Sequence, residues 1–208
     1  MGDKAVDGST GCSVTGLDGS RTEVKTRLNV ETKTVDVFER ILLWLPVLLL
    51  PLANLITTTV TRESVFAAYT APSTLIPFLP AAVVYILGAV AEELFYRWFL
   101  LKKLFFETTK LRPILSILIV TALFAGMHLW NLQTSPAVLP VLVQVFSAFC
   151  FSVWAGAVVW RTDRIWIPLI SHVLLNATAG DVEIAWVSVL VSVVVLTDGI
   201  WLMRGEKI

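Results

Sequence analysis

Charge is scarce in this chain. Lys, Arg, Asp and Glu make up 15% of its 208 residues, where a water-soluble domain carries about 25%. The 16 basic and 16 acidic side chains cancel, so no basic field exists to attract nucleic acid, and none is expected as a partner. Cysteine is equally sparse: Cys12 stands in a polar stretch and Cys150 in an apolar run, which excludes a disulfide scaffold. There are only two histidines. What fills the chain is apolar, with 56% hydrophobic residues and a mean hydropathy of +0.79. That surplus exceeds what a core of this size buries, so the remainder must face lipid, the first expected partner.

The few charges are unevenly spread. Residues 1–40 hold 13 of the 32, among Gly, Ser, Thr and Asp, a composition too polar to bury a core and read as a disordered tail. No signal peptide is expected, because no apolar core follows a basic start; no lipobox precedes Cys12, and Val6 stands where myristoylation wants Ser or Thr. From Ile41 onward, the apolar runs 41–60, 77–101, 113–130, 138–160, 165–179 and 184–203 are matched to the ~20 residues that a helix needs to cross a bilayer. They predict an all-α, polytopic transmembrane helix bundle of about six spans over 41–203, with the short fifth span about 22 Å long. Fourteen Lys/Arg fall on one side of such a bundle, and Arg62 alone on the other. The positive-inside rule then places the 1–40 tail, the 204–208 tail and both termini in the cytoplasm, as expected of a multi-pass protein of a prokaryotic plasma membrane. The stretch 102–112, with Phe105 and Phe106 among lysines, is expected as a short amphipathic piece in the interface.

An ionisable side chain inside a bilayer costs several kcal/mol and is kept mainly where it faces a cavity or a partner. Those inside the spans are Glu92, Glu93, Arg97, His128, His172 and Asp198. Asp198, near Arg204, is read as interfacial. In AEELFYRWF, Glu93 and Arg97 are i,i+4 neighbours, whereas Glu92 points about 100° away, toward Tyr96. One carboxylate is thus compensated by a guanidinium, and the other is left to act as a base. Phe124 and His128 share one helix face, as do His172 and Asn176. Each group alone reads equally well as a packing device or a buried ion pair. Together, both histidines of the chain, a Glu pair and an Asn within apolar spans point to one convergent site.

The blocks Glu92-Glu93-x-x-x-Arg97, Phe124-x-x-x-His128 and His172-x-x-x-Asn176, in this order on successive apolar helices, resemble the motifs of the CPBP family, which comprises CAAX proteases and bacteriocin-processing enzymes. The likeness spans about residues 77–180 and takes in type II CAAX prenyl endopeptidases and Abi-like prokaryotic relatives. It implies an intramembrane endopeptidase that cuts a membrane-associated protein, leader or lipidated peptide, with a glutamic-type mechanism. The residue types permit that chemistry: Glu92 and His128 activate water, His172 and Asn176 donate to the oxyanion, and Glu93 with Arg97 supports Glu92.

Two matters stay open at this level. Glu92, His128 and His172 form a His2Glu set that zinc also uses, so a metalloprotease is the alternative to a cofactor-free enzyme. A non-catalytic scaffold or bacteriocin-immunity protein is the alternative function. A proton-coupled transporter is disfavoured, because the two halves of the chain show no internal repeat. The site is expected near mid-bilayer, opening toward the positive side, with His128 set about 24 Å of helix from Arg112.

Overall fold

The computed structural model describes residues 37–61, 79–133, 137–178 and 185–205, together with Ser73 and Ile76. Most of the predicted tail, Arg62 and residues 206–208 lie outside the described residues. Every regular element among the described residues is helical: α1 Val37–Thr61, α2 Ala81–Glu93, a π-wound continuation Leu94–Phe106, α3 Pro113–Met127, a tight 3-10 segment His128–Gln133, α4 Val138–Thr162, α5 Trp166–Ala177 and α6 Ala185–Arg204.

Four of these, 37–59, 113–133, 138–162 and 186–204, are long and apolar enough to cross a membrane, while α5 is apolar but only 12 residues long. The predicted second span is α2 and its continuation, two pieces of 13 residues each. Its charged residues lower its hydropathy below that of the other long helices. The predicted interfacial piece does not start at Lys102. The helix runs on to Phe106, and Phe105 and Phe106 pack against the core instead of lying apart from it.

Local signals set the helix ends. Pro113 opens α3, where its missing N–H costs nothing, and Arg112 before it is extended (φ −62°, ψ 138°). α4 stops at Asp163, which adopts a left-handed backbone (φ 57°) and takes a 2.8 Å ion pair from Lys102 on its carboxylate. α1 begins four residues before the expected boundary at Ile41. Its first turn carries Glu39, which bonds the buried Arg161 of α4, so these residues belong to the bundle and not to the tail.

α4 is the central element. Cys150 to Val159 are all buried, as expected of a helix apolar on every side. It packs on α3 and, most extensively, on α6, whereas α1 and α2 both pack on α5 and α1 also meets α6. With the π-wound segment against α3 and α4, the helices close a ring in the order α1, α5, α2, α3, α4, α6. Small residues permit the tightest approaches. A Cβ on Gly156 would stand 2.8 Å from the Ile117 side chain, and one on Gly199 would stand 2.7 Å from Cα of Trp154. Asp198, beside Gly199, is 4% exposed, with both carboxylate oxygens unpartnered among the described residues.

Candidate active site

The change from α to π winding falls between Glu93 and Leu94, inside the first motif. Such wide turns are rare and concentrate at functional sites, because they re-aim the side chains that follow. Glu93, Arg97 and Leu101 turn inward at spacings of four and are buried. Arg97 Nη1 lies 3.1 Å from Glu93 Oε1, an ion pair rather than an aligned hydrogen bond, with both side chains fully enclosed. The guanidinium also sits 4.2 Å from the centre of the Phe124 ring and 5.5 Å from that of Phe151. Aromatic faces thus supply part of the electrostatic compensation that water would give it.

Glu93 has a second partner from another helix: His172 Nδ1 stands 2.9 Å from the same Oε1. A carboxylate already paired with a guanidinium can only accept, so Nδ1 carries the proton and Nε2 is left as the acceptor. That Nε2 faces Glu92, whose Oε2 is 3.8 Å away. Arg97, Glu93, His172 and Glu92 therefore form one connected series across α2, its continuation and α5. The expectation paired Glu92 with His128 and used Glu93 and Arg97 to support Glu92. Instead, Glu92 approaches His172, and Glu93 and Arg97 hold the imidazole. Glu92 remains the accessible member, its side chain 34% exposed against none for Glu93.

His128 occupies the start of the 3-10 segment, where α3 ends. Its Nδ1 meets the carbonyl of Phe124 at 3.0 Å; a carbonyl only accepts, so this imidazole too presents Nε2 as an acceptor. Asn176 Nδ2 donates to the backbone carbonyl of Tyr85 at 3.0 Å, which orients the amide and leaves its other N–H available. Tyr96, expected on the face of Glu92, is buried and sends its hydroxyl to the sulfur of Met127. Phe124 is the hub: its ring centre is 5.2 Å from that of Tyr96, 5.2 Å from His128 and 6.0 Å from His172.

His128, His172 and Asn176 line one cavity of about 700 Å3, together with Phe124 and Phe151. Glu92 is not one of its lining residues and stands 3.8 Å from His172, which is. Three contributors were not singled out in the sequence. Phe151, 5.1 Å from the His172 ring, is one aromatic in a long apolar run and carries no signal of its own. The Tyr85 carbonyl is backbone and has no signature. Gln144, which accepts from Asn131 at 2.8 Å, is a polar residue inside a span and was open to the reasoning that found the histidines.

Residues 72–178 match the family described as type II CAAX prenyl endopeptidase Rce1-like. The chain belongs to this family. The matched stretch contains all three motif blocks, α2 to α5 and the cavity wall between them, while α1 and α6 lie outside it. No curated protein and no solved structure matches the chain. Family and apolar helices together make it an integral membrane protein of the CAAX-type intramembrane endopeptidases, a family of hydrolases acting on membrane-associated proteins.

The zinc reading can be tested against the donors. A hydrolytic zinc needs three protein ligands converging with one position open. Among the described residues, no three His, Cys, Asp or Glu side chains group in that way. As placed, Glu92, His128 and His172 do not fit a zinc ion.

Proposed function

We propose that this CAAX-type endopeptidase is a metal-free, glutamic-type hydrolase in which Glu92 is the base. The supporting observation is the series Arg97–Glu93–His172–Glu92, with distances of 3.1, 2.9 and 3.8 Å. An exposed carboxylate beside an imidazole, itself oriented by a buried carboxylate, follows the base-and-orienter logic of hydrolytic sites. Water held at Glu92 attacks the scissile carbonyl carbon and loses one proton to Glu92. That proton passes to Nε2 of His172 and then to the leaving nitrogen as the C–N bond breaks, yielding a carboxylic acid and an amine. Asn176, through its remaining N–H, and His128, when it carries its second proton, donate to the developing oxyanion. Six crossings with both termini in the cytoplasm complete the reading, from the positive-inside rule.

The test is cleavage of fluorogenic CAAX-type peptides, prenylated and unprenylated, by protein purified in detergent. Wild-type protein should cut and Glu92→Gln should not. A wild-type protein inert on every such peptide would favour the scaffold reading.

A further inference from the structure

α5 carries both His172 and Asn176 on only 12 residues, and Asn176 stands in its last turn, because the helix ends at Ala177. The last four carbonyls of a helix have no partner within it, and the last turn frays unless something outside holds it. The middle of α5 is held from α2, through the contact between Glu93 and His172. Its end is held from α1. Asn54 Nδ2 donates to the carbonyl of Leu175 at 3.0 Å and to the hydroxyl of Thr178 at 3.3 Å, so one amide grips the chain on either side of Asn176. The Thr178 hydroxyl extends that hold by donating to the Leu174 carbonyl at 2.8 Å.

A second anchor keeps α1 from yielding. Trp44 meets Trp166, the first residue of α5, with ring centres 5.3 Å apart. The register of this contact and that of the Asn54–Leu175 bond agree to within one residue, so α1 runs parallel beside α5. The two anchors stand about 15 Å apart along α1, at 1.5 Å per residue, and together they fix α5 against sliding and against turning about its axis. The Asn176 amide is itself aimed by its bond to the Tyr85 carbonyl of α2. That bond holds only one end of the side chain. If the last turn of α5 loosened, the backbone of Asn176 would move while its nitrogen stayed on Tyr85, and the second N–H would swing away from the oxyanion.

We infer that Asn54 is a positioning residue for the endopeptidase reaction: by holding the last turn of α5, it fixes where Asn176 presents its free N–H. This deepens the proposed function and rests on its assignment of Asn176 as a donor to the oxyanion. α1 lies outside residues 72–178, so the role falls to a helix that the family match does not reach.

The experiment measures cleavage of a fluorogenic CAAX-type peptide by the full chain carrying Asn54→Ala, Asn54→Leu, Asn176→Ala or Asn54→Ala with Asn176→Ala. Each is purified in detergent and assayed below its unfolding temperature. Asn54→Leu removes the amide and keeps the bulk. Both Asn54 variants should lose on the order of 10-fold to 100-fold in kcat, with KM little changed, because a donor to the transition state is misplaced and no contact with bound peptide is removed. In the Asn176→Ala background, Asn54→Ala should cost less than about twofold, since the group it acts through is gone. A side chain that served stability alone would lower Tm and leave kcat of the folded protein at the wild-type value, or lower it equally in both backgrounds. Either result overturns the proposal. Hydrogen exchange over residues 172–178 gives a readout independent of cleavage: Asn54→Ala should exchange faster there, and unchanged exchange overturns the proposal. Asn176→Ala at the wild-type rate would instead remove the oxyanion assignment on which the proposal stands, so the two failures are told apart.

Discussion

Glu92 and Glu93 are adjacent in the chain but opposite in surroundings: Glu93 is fully buried between Arg97 and His172, and Glu92 is partly open. Substitution should separate them. Glu92→Gln removes a base from an accessible position, where replacements usually change stability by less than about 0.5 kcal/mol, so turnover should vanish while the unfolding temperature in detergent holds. Glu93→Gln strands a buried guanidinium and removes the acceptor of His172, a loss of about 3 to 5 kcal/mol that a melting curve would show directly. A stable, inactive Glu93→Gln beside an active Glu92→Gln would reverse the roles. Asn176 supplies one neutral donor. Its replacement by Ala should lower the rate by about 100-fold to 1000-fold, leaving measurable cleavage, whereas His172→Ala should leave almost none because the proton reaches the leaving nitrogen through that imidazole. Full activity of Asn176→Ala would remove that residue from the site.

At the scale of elements, α4 decides how closely its neighbours come. Gly199 of α6 meets the backbone of Trp154, and a backbone cannot swing away. Gly156 of α4 meets only the side chain of Ile117, which has some freedom to shift. Gly199→Ala should therefore cost more than Gly156→Ala, within the roughly 1 to 3 kcal/mol that overpacking brings, and thermal unfolding of the pair in one detergent would rank them. The opposite order would mean that α6 slides along α4 more easily than this contact implies. The π-wound segment beginning at Leu94 has the same importance for the site, since it carries Arg97 to Glu93.

For the molecule as a whole, the ring of helices gathers residues from α2, α3 and α5 around one cavity, with α1, α4 and α6 completing the wall. The metal-free reading has its test at this scale. Purified protein should keep its activity in chelator and hold far less than one zinc per chain. About one tightly bound zinc, lost together with activity, would require the histidines to regroup on binding and would overturn it.

Read alone, the sequence settled the class of the molecule, because apolar runs of membrane-spanning length and the confinement of charge to their ends leave lipid as the only solvent for the surplus. It also picked out Glu92, Glu93, Arg97, His128, His172 and Asn176, because the cost of polar groups in hydrocarbon makes each of them conspicuous. Which of these touch was decided by the tertiary structure. The Glu93–His172 contact joins residues 79 apart, and no helical periodicity relates positions on different helices. Periodicity also assumes regular winding, so the change to π winding at Leu94 could not be foreseen. The burial of Asp198 was hidden for a like reason: it accompanies the Gly199–Trp154 approach of two helices, which no distance along the chain reveals. Which residues of α1, α4 and α6 wall the cavity was likewise beyond the sequence, since it depends on which halves of the helices stand apart once the small residues of α4 and α6 have let the other halves close.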